Sequence, residues 1–285
     1  MSTLINTLIL QGSALTKADA QQIAKQVSGD LVEKSAYCTI QTDHQISVEL
    51  LVQWRGNYQF DINLSPAGFD AKTVKLLVTD MDSTLINIEC VDEIADFINV
   101  KPQVAEITEA AMRGEIDFET SLRQRVALLK GLEVSALEKV YQQRLQLNPG
   151  ASLMLQGLKQ QGIKTALVSG GFTFFTERLK QRLGLDYTMA NVLAEHNGRL
   201  TGEVEGDICG AQAKADFLLA HCDKLAISPS QVISMGDGAN DLLMMKEAGL
   251  SIAYHAKPKV QQQAKTVLNY CGLEGVLGLL QLDIT

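Results

Sequence analysis

Residues 75–84 read KLLVTDMDST: a short, nearly continuous apolar run, Lys75 to Thr79, that breaks into Asp80–Met81–Asp82–Ser83–Thr84. Two later stretches repeat the design. Ile163–Val168 (IKTALV) runs into Ser169–Gly170–Gly171, and Gln231–Met235 (QVISM) runs into Gly236–Asp237–Gly238–Ala239–Asn240–Asp241. Leu250–Ala253 and Thr266–Leu268 read as two further strands. Short apolar runs without alternation, separated by segments of helical period, predict a parallel sheet covered on both faces. The fold class is therefore α/β, with a Rossmann-like parallel core. Such sheets build ligand sites beyond the C-terminal ends of their strands. Asp80, Asp82, Ser169, Gly170, Asp237 and Asp241 are thus expected to converge, although they are spread along the chain.

Between the first and second of these strands lies an insert rich in helix formers, about Cys90 to Leu147. It reads as four amphipathic helices, Val91–Asn99, Pro102–Met112, Phe118–Leu129 and Ser135–Gln146, with Pro102 at a helix start where its fixed φ fits. Asn148–Pro149–Gly150 closes the insert, so a helical cap over about residues 89–149 is expected after the first core strand. Phe172–Leu183 reads as a helix with Thr173 as its cap, and Asn191–Val204 as a hairpin turning at Asn197–Gly198. Ahead of this core, residues 1–72 read as a separate small α+β unit. Its predicted order is βαββ: strand Leu4–Leu10, helix Thr16–Val27 capped by Thr16, then strands Ala36–Thr42 and Gln45–Trp54 about Asp43–His44. Ser65–Pro66–Ala67–Gly68 reads as the linker to the second unit, residues 73–285.

Bulk properties narrow the functions. Of 285 residues, 46% are hydrophobic and 20% charged, the composition of an ordered globular protein. A net charge of -8 argues against general binding to nucleic acid or to an anionic membrane. An anionic substrate then needs a locally positive site built from a metal, a basic side chain or backbone N–H groups. The five cysteines, Cys38, Cys90, Cys209, Cys222 and Cys271, are odd in number, widely spaced and without a CxxC pair, which predicts reduced thiols. Met1–Leu10 has no basic stretch followed by a long apolar run, and no apolar segment reaches membrane-spanning length. A cytoplasmic location is the expectation.

The strand ends carry the chemistry. Two carboxylates two residues apart, Asp80 and Asp82, can divide labour between attack on phosphorus and proton transfer. By itself, such a pair is more often a turn or a helix cap. Ser169–Gly170 offers a hydroxyl and amides to an anion, though alone it reads as an ordinary strand-to-helix turn. Lys214, in Ala211–Gln212–Ala213–Lys214–Ala215, would balance negative charge if it reached the acids, while a lone helix lysine is usually solvated. The glycines of Gly236–Asp237–Gly238 let the backbone turn sharply, and Asp237 and Asp241 suit a magnesium ion that takes few carboxylates and a phosphate. The conjunction of these groups, each after its own strand and in this order, is far more specific than any member.

In these residues the chain resembles the haloacid-dehalogenase superfamily of aspartate-dependent phosphotransferases, from about residue 74 to the C-terminus. The matching residues are Asp80–Leu85, Glu89, Phe118, Ser121–Val126, Ser169–Phe172, Lys214, Gly236–Asp241 and Ala253–Pro258. Within the superfamily the match is close to the branch that hydrolyses phosphoserine, the last step of serine biosynthesis. The resemblance implies Asp80 as nucleophile and Asp82 as acid/base. It implies Mg2+ held by Asp80, the Asp82 carbonyl and Asp237, with Asp241 supporting the metal shell. It implies phosphate held by Ser169, Gly170 and Lys214, with Asn240 close by. For the rest of the substrate it implies Glu89 on the ammonium, Arg125 on the carboxylate, and Met112 and Phe118 as an apolar wall. Read without the family, Glu89 is a helix-start acid and Arg125 a solvated helix residue. The superfamily usually has Phe where Met81 stands; the matched role is a backbone one.

Three other functions stay open at this point. Transfer of the phosphoryl group to another alcohol, such as homoserine, uses the same intermediate. A broad small-molecule phosphatase would need only a looser cap. A phosphate-sensing scaffold is opposed by the intact Asp80, Asp82, Lys214 and Asp237. The N-terminal unit shows no catalytic constellation and is only loosely similar to the amino-acid-binding modules attached to some relatives. Amino-acid binding, homodimerisation and bracing of the core are the roles open to it.

Overall fold

A computed structural model describes residues 6–282, with Met112 described by its backbone alone. The N-terminal unit runs β1 (Asn6–Gln11), α1 (Lys17–Gln26), β2 (Asp30–Glu33), β3 (Tyr37–Thr42), α2 (Val48–Asn57) and β4 (Asp61–Leu64). Its antiparallel sheet has the order β2-β3-β1-β4, the ferredoxin-like βαββαβ arrangement. This corrects the expected βαββ order. The stretch Gln45–Trp54 is not a strand: Ser47 caps α2 by accepting the Leu50 N–H at 3.2 Å. Leu50, Leu51 and Trp54 then share the face that packs on Leu10, Ile23 and Ile62. That spacing is helical, and a β-branched, apolar composition misled the strand reading. The short strands β2 and β4 were not expected; four residues are too few to show a period. The first strand was expected from Leu4, and residues 4 and 5 lie outside the described chain.

The second unit opens with β5 (Leu76–Thr79) and continues through the cap helices α3 (Cys90–Phe97), α4 (Lys101–Met112), α5 (Phe118–Ala127) and α6 (Val134–Gln143). After these come α7 (Ala151–Gln160), β6 (Lys164–Phe172), α8 (Thr173–Leu183), β7 (Tyr187–His196), β8 (Arg199–Glu205) and α9 (Ala211–Leu225). The chain ends with β9 (Val232–Gly236), α10 (Leu242–Glu247), β10 (Leu250–Tyr254), α11 (Pro258–Gln263), β11 (Thr266–Leu268) and α12 (Gly275–Leu279). The sheet order is β11-β10-β9-β5-β6-β7-β8, parallel except for β8. Successive residues of β5 explain its unbroken apolar run. Leu77 joins one core with Leu167 and Ile233, while Leu76 and Val78 join another, on the opposite face, with Val168 and Val232.

β5 is the switch point of this topology, because the chain leaves it toward β6 on one side and later returns to β9 on the other. The expected cap follows it. Its two connections to the core pair with each other: Asn87 N–H donates to the Gln146 carbonyl, and Gln146 N–H to Asn87 Oδ1, each at 3.0 Å. The expected hairpin begins earlier than predicted, at Tyr187, and turns at Asn197 (φ +52°) and Gly198 (φ +73°), the left-handed pair of a type I′ turn. Thr173 is not a cap: it is the first residue of α8, whose capping position is Phe172, with no side-chain bond.

Candidate active site

β5 ends by donating the Asp80 N–H to the Met235 carbonyl of β9, 2.9 Å away, which sets Asp80 at the C-terminal edge of the sheet. Met81–Leu85 then form one wide turn closed by the Ile86 N–H on the Met81 carbonyl at 3.0 Å. Ser83 takes a left-handed φ of +54° in it, a conformation that costs a non-glycine residue and is typical of functional turns. The turn swings Asp82 back over the strand ends, beside Ser169 and Gly171 of β6. A side chain at Gly171 would meet Met81 Cε, Asp82 Oδ2 and Ser169 Oγ. The β6–β7 ladder is interrupted between Val168 and Phe172, and this irregularity frees the Ser169–Gly171 backbone for other contacts. Ser169 Oγ accepts the Gly171 N–H at 2.8 Å, so its own hydrogen stays available to donate.

Lys214 comes from the first turns of α9 and is completely buried. Its ammonium donates to Asp80 Oδ1 and to Asp241 Oδ1, each at 2.7 Å. Burial works against its charge, but Asp241 and Asp80 overcome that and hold its pKa above the ordinary lysine value. Asp241 is also fully buried. Loss of hydration, with the Asp80 charge, pushes its pKa up to about 7 in spite of Lys214. Gly236 exists for this packing, because a Cβ there would overlap the Asp241 carboxylate. Carboxylate oxygens of Asp80, Asp237 and Asp241 lie within 4.8 Å of one another. Burial and then the Asp80 charge raise the Asp237 pKa, while Lys257 and Lys214 lower it. One ammonium bonded to two of these acids cannot neutralise a cluster of three, and a divalent cation fits the charge that remains.

Asp82 differs from its neighbours. Its carboxyl is held well above the usual carboxylate range, first by burial, then by the Glu89 charge, and also by Asp80. The neighbouring Cys90 thiol and N–H act the other way. Its Oδ1 is buried with no hydrogen-bond partner among the described residues, as expected of a group reserved for a reacting atom. Two carboxyl groups two residues apart in surroundings this different are suited to different roles.

The cap supplies the opposite wall. Glu89 stands at the capping position of α3 without capping it; it lies at the solvent-open mouth and accepts the Ser83 hydroxyl at 2.7 Å. Partial loss of hydration raises its pKa, Ser83 lowers it, and Asp237 and Asp80 raise it further. Arg125 of α5 is half-buried and faces inward; burial lowers its pKa, and Asp92, Glu89 and Asp82 partly restore it. Its neighbour Arg123 turns outward to Glu119. Phe118, the first residue of α5, stands over Gly170, where a Cβ would come within 3.0 Å of its ring, and over Gly210. Asn240 is half-buried in the turn after Asp237. Met112 ends α4, and its side chain lies outside the described residues.

Several contributing residues were not singled out from the sequence. Asn191 of β7 is buried; its amide donates to the Gly170 carbonyl and its oxygen accepts the Cys209 N–H, both at 2.8 Å. It ties the Ser169–Gly170 segment to the start of the helix that carries Lys214. Cys90, Lys257 and Asp92 act through Asp82, Asp237 and Arg125 respectively. Two signals were present in one dimension: the Asn in a strand otherwise apolar or small, Met189–Ala190–Asn191–Val192–Leu193, and the place of Lys257 in the matching stretch Ala253–Pro258.

Comparison with known proteins agrees with this geometry. Residues 74–249 match the model of the haloacid dehalogenase-like hydrolases. A phosphoserine phosphatase of Polaromonas sp. is 56% identical over 77% of this chain and 95% of its own length. The crystal structure of a haloacid-dehalogenase-family hydrolase from Salmonella enterica serovar Typhi superposes with a TM-score of 0.89 at 31% identity, over 97% of this chain and 98% of that one. A probable phosphoserine phosphatase from Vibrio cholerae gives a TM-score of 0.83 at 38% identity, over 96% and 86% of the two chains.

Proposed function

Because the chain belongs to the haloacid dehalogenase-like hydrolases, on their phosphoserine phosphatase branch, we propose that it hydrolyses O-phospho-L-serine to L-serine and phosphate through Asp80. The observation that carries the mechanism is the pairing at the end of β5. Asp80 accepts the Lys214 ammonium at 2.7 Å, while the Asp82 carboxyl, two residues on, is pushed well above the usual carboxylate range by burial and the Glu89 charge.

In the first step an Asp80 carboxylate oxygen attacks phosphorus. The bond from phosphorus to the serine oxygen breaks, and the Asp82 proton passes to that oxygen. In the second step Asp82 takes a proton from water, the water oxygen attacks phosphorus, and the bond to Asp80 breaks to release phosphate. Ser169, the Gly170 N–H and Lys214 bind the phosphoryl oxygens, with Asn240 beside them. Lys214 orients Asp80 and Asp241 together. Asp80, Asp237 and the Asp82 carbonyl would hold Mg2+, supported by Asp241; when bound, the ion stabilises charge on the phosphoryl group. Glu89 takes the substrate ammonium and Arg125 its carboxylate, whose planar shape a guanidinium fork matches. Phe118 closes the apolar wall above Gly170, with Met112 as a second member. Four cysteines are buried, one is half-buried, and all five are unpaired, which fits a reducing cytoplasm.

The reading is tested by acid-quenching the enzyme during turnover of 32P-labelled phosphoserine in the presence of magnesium. Label on the peptide containing Asp80, released by hydroxylamine, is expected. Phosphate release without any such adduct would show that water attacks directly and that Asp80 is not the acceptor.

A further inference from the structure

The N-terminal unit docks on the second unit through three polar side chains of one sheet face. Gln11 and Asp61 are partners in the β1–β4 register, and Asn63 lies two residues on. Asn63, completely buried, exchanges two 2.8 Å hydrogen bonds with the backbone of Val267: it receives the N–H and donates to the carbonyl. It thereby satisfies the edge of β11 as a further strand would. The Gln11 amide donates to the Gly275 carbonyl at 3.0 Å.

Asp61 does something different. Its carboxylate, 2% exposed, accepts the N–H groups of three consecutive residues: Asn269 at 2.7 Å, Tyr270 at 3.2 Å and Cys271 at 2.9 Å. Among the described residues no basic side chain hydrogen-bonds to it; three backbone amides meet the carboxylate directly, and Arg55 acts on it only through space. Burial raises its pKa and these amides lower it. A buried side chain of the N-terminal unit, accepting three consecutive backbone N–H groups, therefore fixes the path of the loop after β11.

That loop touches the cap connection directly. Two residues beyond Cys271, the Leu273 N–H donates to the Pro149 carbonyl at 2.7 Å. A Cβ at Gly272 would sit 2.6 Å from that same carbonyl oxygen, so the two backbones are in close contact. The neighbouring Asn148 donates its amide to the Thr84 and Ile86 carbonyls at 2.8 and 3.1 Å, on the outgoing connection of the cap. From Asp61 the contacts thus run through the 269–273 loop to Pro149 and Asn148, and on to the segment that leads to Glu89.

We propose that Asp61 is a positioning residue for phosphoserine recognition: it sets the seat of the cap connection, and so the placement of the cap anchors over the phosphate site. The proposal rests on the reading of Glu89 and Arg125 as anchors given above. It assigns the N-terminal unit a bearing on specificity, with the phosphoryl chemistry left to the core.

The test compares phosphoserine with p-nitrophenyl phosphate, which has neither ammonium nor carboxylate, in the full-length protein with magnesium. Asp61→Ala is expected to lower kcat/KM for phosphoserine about tenfold, mostly through KM, below the ~100-fold that a full 1 Å misplacement can cost. Activity on p-nitrophenyl phosphate should stay within about twofold. Asp61→Asn keeps one acceptor oxygen and should fall between the two; it carries the same test if Asp61→Ala does not accumulate. Asn63→Ala loosens the docking at β11 without touching the loop, and should lower Tm with the ratio of the two activities unchanged. An equal fall on both esters, an unchanged ratio in either Asp61 variant, or the same ratio change in Asn63→Ala would overturn the proposal. Failure of the wild-type protein to hydrolyse phosphoserine while it hydrolyses p-nitrophenyl phosphate would instead refute the substrate reading.

Discussion

Asp80→Asn separates the chemistry of the site from its stability. The Asp80 carboxylate lies 2.7 Å from the Lys214 ammonium. At an effective dielectric constant of ~20 that attraction is about 6 kcal/mol. Oxygens of Asp237 and Asp241 lie within 4.8 Å of Asp80, and at the same dielectric constant each repulsion is at least about 3.5 kcal/mol. The two sides are of similar size, because Asp241, with a pKa of about 7, carries its charge only in part near neutral pH. Removing the charge while keeping the shape should therefore change metal-free stability by only about 1 kcal/mol, or roughly 2–4 °C in Tm. Phosphate release from phosphoserine should nonetheless fall at least ~10⁴-fold, because an amide cannot form the acyl phosphate. Added magnesium should also raise Tm less in the variant than in the natural chain, since one proposed ligand has lost its charge. Thermal melts with and without magnesium, alongside a phosphate-release assay, read all three effects. A variant retaining more than about 1% of the activity, in a preparation free of wild-type enzyme, would refute Asp80 as nucleophile. A Tm loss of 10 °C or more would refute the charge balance.

Other outcomes follow from single features of the site. Glu89→Gln and Arg125→Lys should each raise KM for phosphoserine about tenfold, equivalent to ~1.4 kcal/mol, with a smaller effect on p-nitrophenyl phosphate; equal effects on both esters would argue against anchoring of the serine moiety. Gly236→Ala places a methyl group against the Asp241 carboxylate and should cost about 1–3 kcal/mol of stability as well as activity, measured by denaturant melts and phosphate release. The Asp241 pKa of about 7 in the folded state exceeds its ordinary value of 3.8. The folded protein thus keeps a proton that the unfolded chain gives up first. This contribution to metal-free stability is complete below about pH 4 and is lost as pH rises to about 7. Magnesium competes with that proton, so its stabilising effect should be larger at pH 8 than at pH 5.5; a pH-independent shift in Tm would count against the linkage.

The parallel core was legible because buried strands leave a one-dimensional mark: β5, β6 and β9 face apolar layers on both sides and need apolar residues at every position. The polar residues after them were legible for the same reason, as breaks in an otherwise apolar run. In the N-terminal unit that contrast fails. The segment that became α2 carries Val48 and Val52 on its exposed side, so composition pointed to a strand against the Ser47 cap and the Leu50–Leu51–Trp54 spacing, which pointed to a helix. β2 and β4 are too short for periodicity to register.

Order along the chain therefore determined which groups meet: topology forces Asp80, Ser169, Asp237 and Asp241 to one sheet edge, the conjunction with them singled out Lys214, and the family resemblance added Glu89 and Arg125. What each group does there was decided in three dimensions. Burial and the Glu89 charge raise the Asp82 carboxyl well above its ordinary range, while Asp80, two residues away, bonds to Lys214, and both depend on distances that no local sequence encodes. The same holds for Asn191 and Asp61, whose partners lie 21 and some 210 residues away. Backbone amides look alike in any sequence, and only the folded chain shows which of them a buried side chain is there to hold.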